Sequence, residues 1–242
     1  MDILALDRSR VVTFEPHKAY TASQVSTVLY DWFSYEFMPR EAAARFYKEV
    51  VLRTHPERPC GDRNLVIYVK RPAGGARSVS NEAELIQSLR TLSAFKHGLE
   101  LQVYDGNAPV KDAIALFQRA VLVIGAHGGG MANLMFSPPG TLVVEISTPG
   151  TYSYAAPAIA CQQEYWLVLA KSDSQKVSDA HNKPMTVNIN EVTALVGCAL
   201  SHHADVHTGL SPLMRLDEST RPVEPASSSC RGSGQAAAGS LS

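Results

Sequence analysis

Apolar residues recur along this chain in two rhythms. Short apolar runs occupy residues 65–69 (Leu-Val-Ile-Tyr-Val) and 121–124 (Val-Leu-Val-Ile), and a further strand is predicted at 141–146 (Thr-Leu-Val-Val-Glu-Ile), where Glu145 interrupts the apolar series. Runs of this kind suit strands covered on both faces, the usual state of parallel strands, and parallel neighbours need a long crossover between them. Helical spacing fills the intervals. Leu85, Ile86, Leu89 and Leu92 share one face of a helix over 82–93, and Val110, Ile114 and Phe117 do so over 109–120, where Pro109 suits the first turn. Asn81 followed by Glu84 has the form of a capping box ahead of the first of these helices. Further strands are predicted at 99–104, 165–170 and 185–189, with helices at 151–163 and at 190–203, the last turning Val192, Leu195, Val196 and Ala199 inward. Alternating strands and helices predict an α/β fold around a Rossmann-like parallel sheet.

The chemistry concentrates where the 121–124 strand ends. Gly125, Ala126 and His127 lead into Gly128-Gly129-Gly130, then Met131, Asn133 and Phe136, then the turn Ser137-Pro138-Pro139-Gly140. Glycines at the start of a helix leave backbone N–H groups open to a ligand, and the helix dipole favours an anion there. A nucleotide-type ligand is the first expectation. Upstream, the 65–69 strand is followed by Lys70-Arg71, a loop over 72–75, Arg77, and then Asn81-Glu82 at a helix start.

Both blocks resemble the donor-binding half of the family 61 glycosyltransferases. That family carries a strand, Gly-x-His-Gly-Ala-Gly-Leu-x-Asn, a Phe-x-x-Pro-Gly turn, and a strand ending in Glu-hydrophobic. Gly125, His127, Gly128, Gly130, Asn133, Phe136, Pro139, Gly140 and Glu145 match it, with Gly129 in place of Ala and Met131 in place of Leu. The strand, Arg, loop, Arg, Asn-Glu order matches as well, while Asp112-Ala113 stand where the family has Glu-Gln. The resemblance covers roughly 60–200 and rests on the ordered series, since one glycine-rich turn is weak evidence.

This resemblance implies the C-terminal half of the two-domain GT-B architecture. It also implies an inverting transfer of a sugar from a UDP-sugar to an acceptor hydroxyl, in protein or polysaccharide glycosylation. Arg71 and Arg77 are then the forked cationic donors for phosphate oxygens, with the amides of Gly128, Gly129 and Gly130 beside them. Solvated loop residues are the alternative for both arginines. Glu145, at a strand end, either holds ribose hydroxyls or serves as a structural acceptor, and Asn133 either contacts the donor or bonds its own backbone. His127 is the one nearby titratable candidate for the catalytic base, and its imidazole can equally donate to a phosphate. No Asp-x-Asp occurs, so donor binding without a metal or other cofactor is expected. Family members work in the Golgi or endoplasmic reticulum lumen, and that localisation is the expectation.

Composition narrows the partners. With 22 basic and 23 acidic side chains in 242 residues, the formal charge of -1 provides no general attraction for nucleic acid or anionic membranes. Hydrophobic residues make up 45% of the chain, enough for a packed core, yet none of its stretches reads as a transmembrane span, and the start lacks a signal-peptide pattern. Cys60, Cys161, Cys198 and Cys230 lack metal-ligand spacing, and His202, His203 and His207 suit a helix end better than a metal. Three parts are expected: 1–58, the end of an acceptor-side domain and the passage onward, with Trp32, Phe33, Tyr35 and Phe37 at the junction; 59–204, the nucleotide-sugar-binding domain; and 205–242, a low-complexity disordered tail. Such a layout is expected of a fragment of a longer transferase.

Two other functions compete. A non-catalytic nucleotide-sugar-binding domain is one. The other is a dinucleotide-dependent oxidoreductase, suggested by the glycine turn and by Glu145 lying 20 residues beyond Gly125, but Asn133 stands where its Gly-x-Gly-x-x-Gly needs a final glycine.

Overall fold

The computed structural model describes residues 40–56, 62–93, 98–149, 154–172, 177–180 and 182–208. The aromatic stretch at 31–39, Cys60, Cys230, the first residues of the helix predicted at 151–163, and the tail beyond 208 lie outside the described residues. In chain order, α1 (Arg40–Phe46) continues through a π turn (Tyr47–Val51) into α2 (Leu52–Thr54); then come β1 (Leu65–Val69), α3 (Glu82–Leu92), β2 (Glu100–Tyr104), α4 (Val110–Phe117) and β3 (Ala120–Ala126). A 3-10 helix (Gly129–Phe136), β4 (Leu142–Ser147), α5 (Ala155–Ala160), β5 (Glu164–Leu169), β6 (Lys171–Ser172), α6 (Val177–Ala180), β7 (Met185–Thr186) and α7 (Ile189–Thr208) complete it. The fold is the expected α/β one with a Rossmann-like parallel sheet.

Five strands stand in the order β2-β1-β3-β4-β5, every pairing parallel. β1 and β4 are buried along their whole length, whereas the edge strand β2 alternates toward solvent. Successive side chains of a strand face opposite ways, so each run feeds two cores. Val66, Tyr68, Leu122, Ile124, Val144 and Ile146 pack with Leu85 and Leu89 of α3 and with Val192 and Val196 of α7. Leu65, Ile67, Val69, Val123 and Val143 pack with Phe117 of α4, Met131 and Leu134 of the 3-10 helix, and Ala158 of α5. Burying one such side chain contributes about 1.5–3 kcal/mol, and Phe117, 0% exposed, also meets Tyr104 edge-on at 5.2 Å between ring centroids.

Some local signals yield to long-range contacts. Asn81 makes no side-chain cap on α3. Its amide pairs instead with Val187, Nδ2 donating to the Val187 carbonyl at 2.9 Å and Oδ1 accepting from the Val187 N–H at 3.2 Å. The strand predicted at 185–189 shortens to β7, which pairs antiparallel with β6, while Val79 bridges Met185. α4 stops at Phe117 because β3 begins three residues later, and the Gln118 side chain then donates to the Phe136 carbonyl. α7 reaches Thr208, four residues beyond the domain end expected at 204.

Candidate functional site

The strand order reverses direction between β1 and β3: from β1 the chain goes outward to β2, then returns past β1 to β3. Crossovers leave the sheet on opposite sides there and open a crevice outside the carboxyl ends of the two strands, where ligands of open α/β sheets bind. Lys70-Arg71 follow the end of β1 and His127-Gly128 follow the end of β3. Two segments 56 residues apart in sequence thus meet at one crevice.

Arg71 joins them. Its Nε donates to the Ala76 carbonyl at 3.1 Å and its Nη1 to the His127 carbonyl at 3.0 Å. Gly128 makes room for it: a Cβ at that position would collide with Nη1 and lie 2.7 Å from Cζ. Burial, and next the like charge of Arg77, hold Arg71 below the ordinary guanidinium range, with Tyr154 acting in the opposite sense. Among the described residues no carboxylate neutralises Arg71. Lys70, by contrast, is paired with Glu82 at 3.6 Å, and Glu82 also accepts from the buried Tyr68 hydroxyl at 3.1 Å.

Arg77 sits at φ 60°, in the left-handed region that costs a side chain about 1–2 kcal/mol. The neighbouring chain holds it there, its N–H donating to the Lys183 carbonyl at 2.9 Å. Backbone held in a rarely used conformation beside a charged crevice is a common mark of a functional site.

The glycines divide by task. A Cβ on Gly125 would lie 2.8 Å from both Cβ and the carbonyl oxygen of Val69, and one on Gly130 would lie 2.9 Å from Val69 Cγ1. These two let β3 and the following helix press against β1. Gly129 is exposed, with open space where its Cβ would be. First-turn N–H groups have no carbonyl within their own helix to bond, so the amides of Gly129 and Gly130 are left without an intrahelical acceptor.

Glu145 does not stand where a ribose could reach it. The residue is 0% exposed, and both oxygens are engaged: Oε1 by His127 Nδ1 at 2.5 Å, Oε2 by the Tyr165 hydroxyl at 2.7 Å and the Tyr154 N–H at 3.3 Å. These are the contacts of a structural acceptor, on a strand that is central and buried on both faces. Asn133 donates through Nδ2 to the Gly130 carbonyl at 2.9 Å, bonding its own helix. The His127 side chain keeps 15% of its surface exposed.

Tyr154 and Tyr165 belong to the site without a local sequence signal. Tyr154 donates its hydroxyl to the Gly128 carbonyl at 2.7 Å and lies 5.4 Å from the His127 ring, and its own hydroxyl is pushed above the ordinary range, first by burial and then by Glu145. Only the pairing of β4 with β5, which puts Leu167 beside Glu145 and Tyr165 beside Val143, brings the second tyrosine near. Among the described residues no cluster of three or more His, Cys, Asp or Glu side chains is arranged to hold a metal ion, and no helix is long and apolar enough to cross a membrane. Cys161 and Cys198 are free thiols.

Comparison with protein-family models matches residues 9–144 to Glycosyltransferase 61. That span contains Arg71, Arg77 and the whole glycine turn. No curated protein matches the chain.

Proposed function

The chain belongs to glycosyltransferase family 61, and from that premise we propose that the crevice between β1 and β3 holds the diphosphate of a UDP-sugar whose sugar is transferred, with inversion, to a hydroxyl of a protein or glycan acceptor. The observation that carries this reading is Arg71: a half-buried guanidinium tied by two carbonyls, close to a second guanidinium, with no carboxylate against it. Like charges held together repel, and an anion between them relieves that repulsion. A diphosphate has the required charge and the oxygens for forked N–H donors.

Direct displacement at the anomeric carbon requires the departing diphosphate to be stabilised as its charge grows. Arg71, Arg77 and the Gly129–Gly130 amides supply that stabilisation, and two fixed cations do the electrostatic work that a bound metal does elsewhere, so donor binding is proposed to be metal-independent. The oxidoreductase alternative loses its support, because its ribose-binding acid must face the ligand and Glu145 is enclosed.

Calorimetric titration separates these readings. UDP is expected to bind at least about tenfold more tightly than NAD, a difference of about 1.4 kcal/mol, with no requirement for divalent cation, and Arg71→Ala is expected to weaken UDP binding. Equal affinity for UDP and NAD, or none for either, would sink the assignment.

A further inference from the structure

We infer that Glu145 is a positioning residue that fixes the proton of neutral His127 on Nδ1, so that Nε2 presents a lone pair and His127 accepts the proton of the attacking hydroxyl instead of donating to a phosphate. This deepens the donor-site reading and rests on it.

Oε2 of Glu145 accepts from a backbone N–H, which can only donate, and from the Tyr165 hydroxyl. Two donors at one oxygen match a carboxylate, which only accepts. The 2.5 Å contact between Oε1 and His127 Nδ1 therefore has the proton on the ring nitrogen. A neutral imidazole carries one N–H, so Nε2 is left as an acceptor. An acceptor nitrogen repels a phosphate oxygen and attracts a hydroxyl. His127 is held from both sides in this state: its own N–H donates to the Ile146 carbonyl at 2.8 Å, and its carbonyl accepts from Arg71.

The chemical step balances within the site. The acceptor O–H bond breaks and its proton goes to Nε2; the oxygen forms a bond to the anomeric carbon; the bond from that carbon to the diphosphate oxygen breaks, and UDP leaves with the electron pair. The imidazolium formed on His127 is stabilised by the Glu145 carboxylate against Nδ1. Charged and titratable groups around the pair are Tyr154 ahead of α5, Tyr165 on β5, and Arg71 and Arg77 beyond β1.

The test is 15N NMR of the full chain labelled at histidine, together with UDP calorimetry. Neutral wild-type His127 is expected to show a protonated Nδ1 and a bare Nε2. Glu145→Gln, whose amide can donate to Nδ1 as well as accept from it, is expected to raise the Nε2-protonated tautomer at least about tenfold. Tyr165→Phe removes a neighbouring hydroxyl but leaves the carboxylate against Nδ1, so it is expected to keep the wild-type tautomer, a contrast that loss of packing does not produce. A proton on Nε2 in neutral wild-type His127, or the same tautomer balance in wild type and Glu145→Gln, overturns the inference. Failure of UDP to bind the wild type sinks the donor site instead, so the two failures are told apart.

Discussion

Gly125→Ala is expected to cost about 3 kcal/mol of stability, at the upper end for added volume in a packed core, and to lower Tm by about 6–12 °C for a chain of this length. The clash is with Val69 of β1, whose Cβ and carbonyl oxygen would both lie 2.8 Å from the new methyl, with Met131 Sδ at 3.0 Å. Two of these atoms belong to a central strand with neighbours on both sides, so neither can swing aside as the tip of a long side chain such as Met131 can. Relief requires β1 and β3 to separate where their register pairs Val69 with Gly125, at the mouth of the crevice. Thermal unfolding followed by circular dichroism measures the shift. A change of less than about 1 °C would show that the β1–β3 contact is not as close as described.

Gly128→Ala is expected to act on binding and on stability together, because Gly128 sits at φ 158° and ψ 170°, a conformation essentially reserved for glycine that costs a side chain about 1–3 kcal/mol. The atoms it meets are the end of the Arg71 side chain, which can move, but moving it breaks the bonds to the Ala76 and His127 carbonyls. Withdrawing one charge-assisted contact from the diphosphate costs about 1.5–3 kcal/mol, so UDP affinity is expected to fall about 10- to 100-fold. Gly129→Ala, one residue on, places its methyl in open space and is expected to bind UDP as the wild type does. Calorimetry on the two variants decides it. Equal losses would assign the effect to the glycine backbone, and no loss in either would remove Arg71 from the site.

Legibility from sequence followed the range of the interactions. β1 was delimited to the residue, and β3, β4, β5 and α3 to within two or three, because burial on both faces and helical spacing are written locally. The same locality made the glycine turn and both arginines visible. Asn81 misled for the reason that Glu145 did: each has a side chain suited to a local role, a cap or a ligand acceptor at a strand end, and each is claimed by a partner far along the chain, Val187 in one case and Tyr165 in the other. Tyr154 and Tyr165 carry no motif and enter the site only through contacts with Gly128 and Glu145.

The amino-acid sequence alone determined which segments become strands and helices, and where backbone must lie bare of side chains, since periodicity and the missing Cβ of glycine act within a few residues of their origin. Tertiary structure decided that β1 and β3 are neighbours, that Arg71 reaches the His127 carbonyl 56 residues away, and that Glu145 is turned from a ligand contact into the support of His127. The physical reason is the crossover: strand order is set by how helices pack back onto the sheet, a competition among alternative burials of apolar surface that no short stretch of residues encodes.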